Sequence, residues 1–301
     1  MQKVWTPLCG QLGIDYPIFG FAHDIATVAA ITNAGGYGVY GATRRFPDEI
    51  REELALIRSL VGDKPFGVDL VLPPGMPEHN SREAIEADIS EEHKSFVAGL
   101  IEKYQVPPAS GPGMRTRFIR SSEIEEAQIQ AVLESSVNMF ACGIGAPPEV
   151  LRRAKALGKT TLALIGSPHH VQRAVAAGVD MLVAQGYDAG AHTGPIGTYS
   201  LVPQIVDAAG EVPVLVAGGV ATGRHVAAGL AMGAAGVWIG TAWLLSEEHQ
   251  AHMHPVNTEK LKAAGSGDTV ITRSESGKTF RQVRSSWSQE WESENAPKPL
   301  K

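Results

Sequence analysis

Two cysteines, Cys9 and Cys142, are all that the 301 residues contain. They stand far apart in apolar stretches, which excludes both a disulfide framework and a Cys-x-x-Cys metal site. An excess of positive charge is also missing. The formal net charge is −6, so no basic field is present to hold a polyphosphate backbone, and a small-molecule substrate is expected rather than nucleic acid. No run reaches the roughly 20 consecutive apolar residues of a membrane-spanning helix, and the segment from Met1 to Gly13 carries Lys3 but no long apolar core. These absences predict a cytoplasmic chain with no membrane contact. No internal repeat is visible either.

Glycine and apolar residues are plentiful, at 33 residues and 44% respectively. That apolar content can bury one sizeable core, and a single domain over 1–301 is expected. Short β-favouring runs alternate with amphipathic stretches, the pattern of parallel strands joined by helical crossovers. The runs are Pro17–Gly20, Tyr37–Tyr40, Gly67–Leu72, Val137–Ala141, Thr160–Ile165, Met181–Ala184, Val212–Ala217 and Val237–Gly240. Eight such units predict an α/β fold closed into a (β/α)8 TIM barrel. A doubly wound sheet is the alternative, but it more often carries its phosphate-binding glycines after the first strand. Here they come late, at the ends of the seventh and eighth strands, where barrels commonly bind phosphate.

The third unit is too long, and its polar, proline-rich segment 73–122 predicts an inserted lid. Within it Ser81 to Tyr104 reads as helical and Pro107 to Gly113 as loop, with the next barrel helix starting near Glu123. Segment 265–301 reads as a C-terminal arm and tail. Thr269 to Trp287 alternates polar and apolar residues around Glu275-Ser-Gly277, which predicts an arm or hairpin packed outside the barrel, and Ala296 to Lys301 predicts a frayed end. Trp287 and Trp291 mark either internal packing or a subunit contact, the latter as a homodimer.

For chemistry, the backbone N–H groups of Gly218, Gly219, Gly240 and Thr241 would converge at the top of the barrel on a spot suited to a phosphate dianion. Turn-making is the other use of those glycines. Gln185 and His192 flank a glycine-rich turn after the sixth strand and belong to the same mouth. With a reference pKa near 6.5, an imidazole there can move a proton or hydrogen-bond an anionic substrate at neutral pH. Asp188 either orients His192 or caps the turn. Arg115, Arg117 and Arg120 in the insert are either solvated or bind an anionic group. His249, His252 and His254 have no carboxylate or cysteine nearby to complete a metal sphere and read as surface residues.

These motifs together resemble the nitronate monooxygenase family, formerly the 2-nitropropane dioxygenases, over nearly the whole chain. The matching segments are Asn33-Ala-Gly-Gly-Tyr-Gly38, Lys64-Pro-Phe-Gly-Val68, Ala184-Gln-Gly186, Ala189-Gly-Ala-His-Thr-Gly194, Leu201-Val-Pro-Gln204, Ala217-Gly-Gly219 and Gly240-Thr241. The resemblance implies a barrel holding non-covalent FMN. Gly218, Gly219, Gly240 and Thr241 would cradle its phosphate, Gln185 would contact the flavin ring, Ala217 and Gly190 would be further cofactor contacts, and His192 would serve as base or substrate anchor. Two places depart from the family pattern. Its Ala-Pro-Met turn after the first strand, which lies against the flavin, is Gly20-Phe21-Ala22-His23-Asp24 here, and its asparagine after the third strand is Asp69. His23 is then either an additional catalytic group or a helix-start residue beside a capping Asp24.

The activity implied is oxidation of alkyl nitronates with O2 to carbonyl compounds and nitrite. Relatives on the same flavin barrel leave open an NAD(P)H-dependent reduction of quinones or enoyl thioesters. A non-redox phosphate-ligand barrel or binding protein is the alternative from another class. Inosine-monophosphate dehydrogenases, its nearest enzymes, carry a nucleophilic cysteine after the sixth strand, and this chain has none there.

Overall fold

A computed structural model describes residues 4–111 and 117–298. Its barrel strands are β1 (Ile18–Ala22), β2 (Tyr37–Gly41), β3 (Gly67–Val71), β4 (Met139–Gly143), β5 (Thr160–Ile165) and β6 (Met181–Gln185). A two-residue β7 (Ala191–His192) precedes the last two barrel strands, β8 (Val214–Ala217) and β9 (Gly236–Ile239). The barrel closes in the order β1-β2-β3-β4-β5-β6-β8-β9, every pairing parallel. Each run expected from the sequence is a strand, displaced by at most two residues at an end.

The helices on the barrel's first half are α1 (Pro7–Leu12), α2 (Ile25–Asn33), α3 (Pro47–Val61), α4 (Arg82–Asp88), α5 (Glu91–Lys103) and α6 (Ser122–Glu134). The second half carries α7 (Pro148–Ala156), α8 (Val171–Ala176), α9 (Thr198–Ala209), α10 (Gly223–Ala231), α11 (Glu247–Gln250) and α12 (Pro255–Ala263). A hairpin of β10 (Thr269–Thr272) and β11 (Phe280–Val283) leads to α13 (Ser286–Trp291). Among the described residues no helix is long and apolar enough to cross a membrane.

The period-two alternation of the strands divides the apolar residues into two cores. Phe19, Tyr37, Val39, Met139, Leu162, Val183 and Leu215 fill the barrel, and Leu8 and Cys9 of α1 plug it from below. Val68, Leu70, Phe140, Ala163, Leu182 and Val216 face the helices. Since Val68 and Leu70 point outward, Asp69 between them points into the barrel.

The insert between β3 and α6 holds two helices where the sequence suggested one stretch. Ser90 ends the first run by capping the second, its hydroxyl accepting from His93 N, just as Ser81 accepts from Ala84 N. The insert packs on the C-terminal helix: the Phe96 and Trp291 rings lie 4.9 Å apart, and Tyr104 donates to Glu290 Oε1. The tail tryptophans therefore pack within the chain. Arg117, exposed, forms a two-bond pair with Glu49, and the more enclosed Arg120 pairs with Glu125. Arg115 lies outside the described residues, as do Pro112 and Gly113 of the expected loop.

The hairpin does not pack outside the barrel. β11 pairs antiparallel with β7, with Phe280 opposite His192 and Arg281 opposite Ala191. Arg281 Nε donates to the Tyr187 carbonyl, and Thr279 Oγ1 to the Thr193 carbonyl. The arm thus lies over the barrel mouth, because the short β7 supplies an open edge that β10 and β11 extend.

Candidate active site

One cavity of ≈ 1690 Å3 opens at the C-terminal ends of the strands, the face where barrels of this kind carry their chemistry. Of the residues expected at the site, Phe21, Ala22, His23, Asp69, Gln185, Gly190, His192, Ala217, Gly218, Gly219, Gly240 and Thr241 all line it. Gly20 does not. A Cβ there would stand 2.4 Å from Ile31 Cδ1, so its size serves the packing of α2 on β1.

The β8 rim is built from backbone. Gly218 and Gly219 have φ of 109° and 71°, a left-handed pair that a side chain would strain. Among the described residues their N–H groups donate to no protein acceptor. Consecutive free amides in that conformation form an anion-binding concavity. Next to it, a Cβ on Gly190 would stand 2.7 Å from Thr241 Oγ1, so the β6 loop and the end of β9 are brought into contact. Asp188 accepts from Thr198 N at 2.8 Å at the start of α9, the capping alternative for this residue. Burial pushes its carboxyl up, but the bonds from Thr198 and the Arg281 charge more than offset this and hold it below its usual value.

His192 is held at two points. Its carbonyl accepts from Gln185 Nε2 at 2.7 Å, and its Nε2 lies 2.7 Å from Ser276 Oγ in the hairpin turn. Phe280 meets the ring edge-on at 5.1 Å. Ala191, just before it, has φ 71°, a conformation that costs a non-glycine residue about 1–2 kcal/mol and is retained where the surroundings impose it.

After β1, which pairs with β9, His23 Nδ1 lies 3.0 Å from the Gly41 carbonyl. A carbonyl only accepts, so Nδ1 carries the proton and Nε2 is left as the basic nitrogen. Gly41 makes room for it: a Cβ there would sit 2.6 Å from that same Nδ1. His23 is exposed and lines the cavity. Desolvation by the surrounding protein lowers its imidazole below the ordinary value, the Gly41 bond only partly opposes this, and Arg44, Arg45 and His249 lower it further.

His249 corrects the surface reading of the late histidines. Its side chain is 14% exposed, and its Nδ1 is 2.6 Å from Asp24 Oδ2, while Asp24 Oδ1 caps α2 by accepting from Thr27 N. His249 lines the cavity. His252 and His254 are less enclosed, and no group of three metal-ligating side chains occurs among the described residues. A separation of 225 residues joins Asp24 to His249, so no local motif could have revealed the pair.

Asp69 is 5% exposed, and its Oδ2 has no hydrogen-bond partner. Burial pushes its carboxyl up to about 7. Thr193 Oγ1, on the same cavity wall, is likewise buried and without a partner. Buried polar atoms left unpaired are rare in folded proteins and call for a ligand. Burial, with the Asp69 charge, also pushes the Cys142 thiol up, which makes it inert as a nucleophile.

The sequence profile of the nitronate monooxygenase family matches residues 7–301. The chain belongs to the nitronate monooxygenase family. It is 40% identical to a putative monooxygenase of Mycobacterium tuberculosis, covering 98% of this chain and 80% of that one. It is 32% identical to a probable nitronate monooxygenase of Staphylococcus saprophyticus, covering 94% and 79%. Among solved structures it superposes on a nitroalkane oxidase from Streptomyces ansochromogenes with TM-score 0.73 at 26% identity, covering 94% and 81%. FabK from Thermotoga maritima superposes with TM-score 0.73 at 27% identity, covering 95% and 77%. The protein is an oxidoreductase of the flavoprotein type on a TIM barrel.

Proposed function

We propose that the protein binds FMN without a covalent link and oxidises alkyl nitronates with O2, releasing a carbonyl compound and nitrite. The observation that carries this reading is the single cavity holding a free-amide glycine rim with positioned imidazoles on the strands that flank it. Gly218, Gly219, Gly240 and Thr241 would hold the phosphate, with Ala217, Gly190, Gln185, Phe21, Ala22 and Asp69 around the remainder. The residues fit such a group: Gly218, Gly219 and Gly240 bring bare backbone to the rim, a Cβ on Gly218 having no room beside Thr198, and Asp69 and Thr193 offer unpaired polar atoms within the same cavity. When bound, FMN supplies the electron transfer.

The chain's own residues bind, orient and exclude water. His192, fixed by Ser276 and Gln185, stands ready to anchor the nitronate oxygens or, with the neutral nitroalkane, to take its α-proton. His23, a neutral imidazole with Nε2 unprotonated, is a second acceptor for a proton. Phe21 stacks on Trp238 at 5.9 Å and forms an apolar wall.

One observation favours a second reading, NAD(P)H-dependent reduction of a quinone or enoyl thioester. The cavity is larger than the roughly 300–1,000 Å3 of ordinary small-molecule sites, and Arg173, Arg273 and Lys278 lie along it. Anaerobic mixing separates the two. Bleaching of the flavin by a nitronate with no response to NADH or NADPH supports the monooxygenase, and rapid bleaching by either nucleotide supports the reductase. A colourless protein that FMN does not reconstitute removes both.

A further inference from the structure

The two sides of the cavity are related by the topology of the barrel. In the closed order, β3 and β8 are four strands apart in either direction, so Asp69 stands diametrically across the mouth from Gly218 and Gly219. A ligand anchored by its phosphate at the β8 rim and lying across the mouth presents its far end to β3. For FMN, the subject of the proposed function on which this rests, that far end is the flavin ring, whose carbonyl oxygens and ring nitrogens accept hydrogen bonds.

We propose that Asp69 closes the distal end of the cofactor site by donating a carboxyl hydrogen bond to an acceptor on the flavin ring, so that cofactor binding is linked to one proton. The side chain is built in for this. It points inward between Val68 and Leu70, is 5% exposed, lines the cavity and has Oδ2 unpartnered. A permanently charged carboxylate in that position would be costly, whereas a carboxylic acid loses only a hydrogen bond to water that the ring acceptor replaces.

The elements around Asp69 offer it no counter-charge. On β2 the residue opposite is Gly41, and the neighbouring Tyr40 hydroxyl is committed to Glu53. On β4 the residue opposite is Ala141, followed by the Cys142 thiol, itself pushed up. Arg120 reaches the end of β3 but donates to the Val71 carbonyl and Glu125. His23 stands near, bonded to the Gly41 that pairs with Asp69, and His192, His249 and Asp188 line the same cavity, yet burial is the cause that pushes Asp69 up to about 7. An acid that must be protonated to bind takes up a proton whenever the pH lies above its titration point, so affinity falls about tenfold per pH unit there and is flat below.

The test is FMN binding to the apoprotein, read by quenching of FMN fluorescence from pH 6 to 9, for the wild type and Asp69→Asn. Between pH 7.5 and 9 the phosphate is already a dianion, so its own titration does not interfere. The wild type should lose about tenfold in affinity per unit in that window, and calorimetry in two buffers of different ionisation enthalpy should show uptake approaching one proton. Asp69→Asn, whose amide donates at every pH, should bind within about threefold of the wild type at pH 6 and stay flat. Flat or rising wild-type affinity, or the same fall in Asp69→Asn, overturns this inference alone. No FMN binding at any pH overturns it together with the proposed function.

Discussion

The two halves of the cavity wall are made of different material. The β8–β9 rim presents backbone amides and one hydroxyl, rigid because each follows directly from a barrel strand. The rest of the wall presents side chains, and those flanking the rim are each held by a partner from elsewhere in the chain: His192 by the hairpin's Ser276, His249 by Asp24, His23 by Gly41. Asp69 is the exception, buried without a partner. Under the proposed function this is a division of labour in which backbone would hold the phosphate and side chains would meet groups whose protonation changes.

The largest disturbance of that division is a charge on the backbone half. Thr241→Asp sets a carboxylate against the phosphate, and like charges in a desolvated site cost several kcal/mol, so FMN affinity should fall by about 10³-fold, measurable by flavin release on dialysis. Full flavin occupancy would place the phosphate elsewhere.

On the side-chain half, Asp69→Asn should stabilise the apoprotein at high pH. The folded carboxyl titrates at about 7 and the unfolded one at its ordinary value of 3.8. Between those values the folded state holds the extra proton, so stability falls as pH rises and the loss is complete above about 7. The variant lacks this loss, and its gain over the wild type should be about 4 kcal/mol greater at pH 8 than at pH 4, read by thermal unfolding. An equal gain at both pH values would mean that Asp69 titrates normally.

His192→Ala should leave FMN bound and lower turnover at least ~10-fold. Unchanged turnover would remove the imidazole from the mechanism. Ser276→Ala is the mildest change. It frees His192 Nε2 without touching the cavity floor and should lower kcat by about threefold with FMN affinity unchanged, since one neutral hydrogen bond contributes about 1 kcal/mol. A fall in FMN affinity instead would show that the hairpin shapes the cofactor site rather than the histidine.

The backbone half was readable in advance because its signals are local. Apolar runs of strand length, each ending in glycine, specify β8 and β9 and the turns after them, and the barrel order follows from eight such units. Gly20 misled for the same reason: a glycine at a strand end looks alike whether it faces a ligand or, as here, the side chain of Ile31. The side-chain half was readable only in part. His192 and His23 are adjacent to strand ends, but the pair of Asp24 with His249 spans 225 residues and the bond from Ser276 to His192 spans 84. The hairpin itself was legible from its alternation, while its place over the mouth depended on the two-residue β7 edge, too short to carry a pattern.

By itself the sequence determined the eight-stranded barrel, the late glycine rim and the candidacy of His192, since periodicity and glycine placement act through neighbouring residues. Only the tertiary structure decided that the C-terminal hairpin roofs the cavity, that His249 belongs to its wall and that Asp69 is buried without a partner. Those outcomes depend on which distant surfaces exclude water from one another, and closing the barrel is what brings them together.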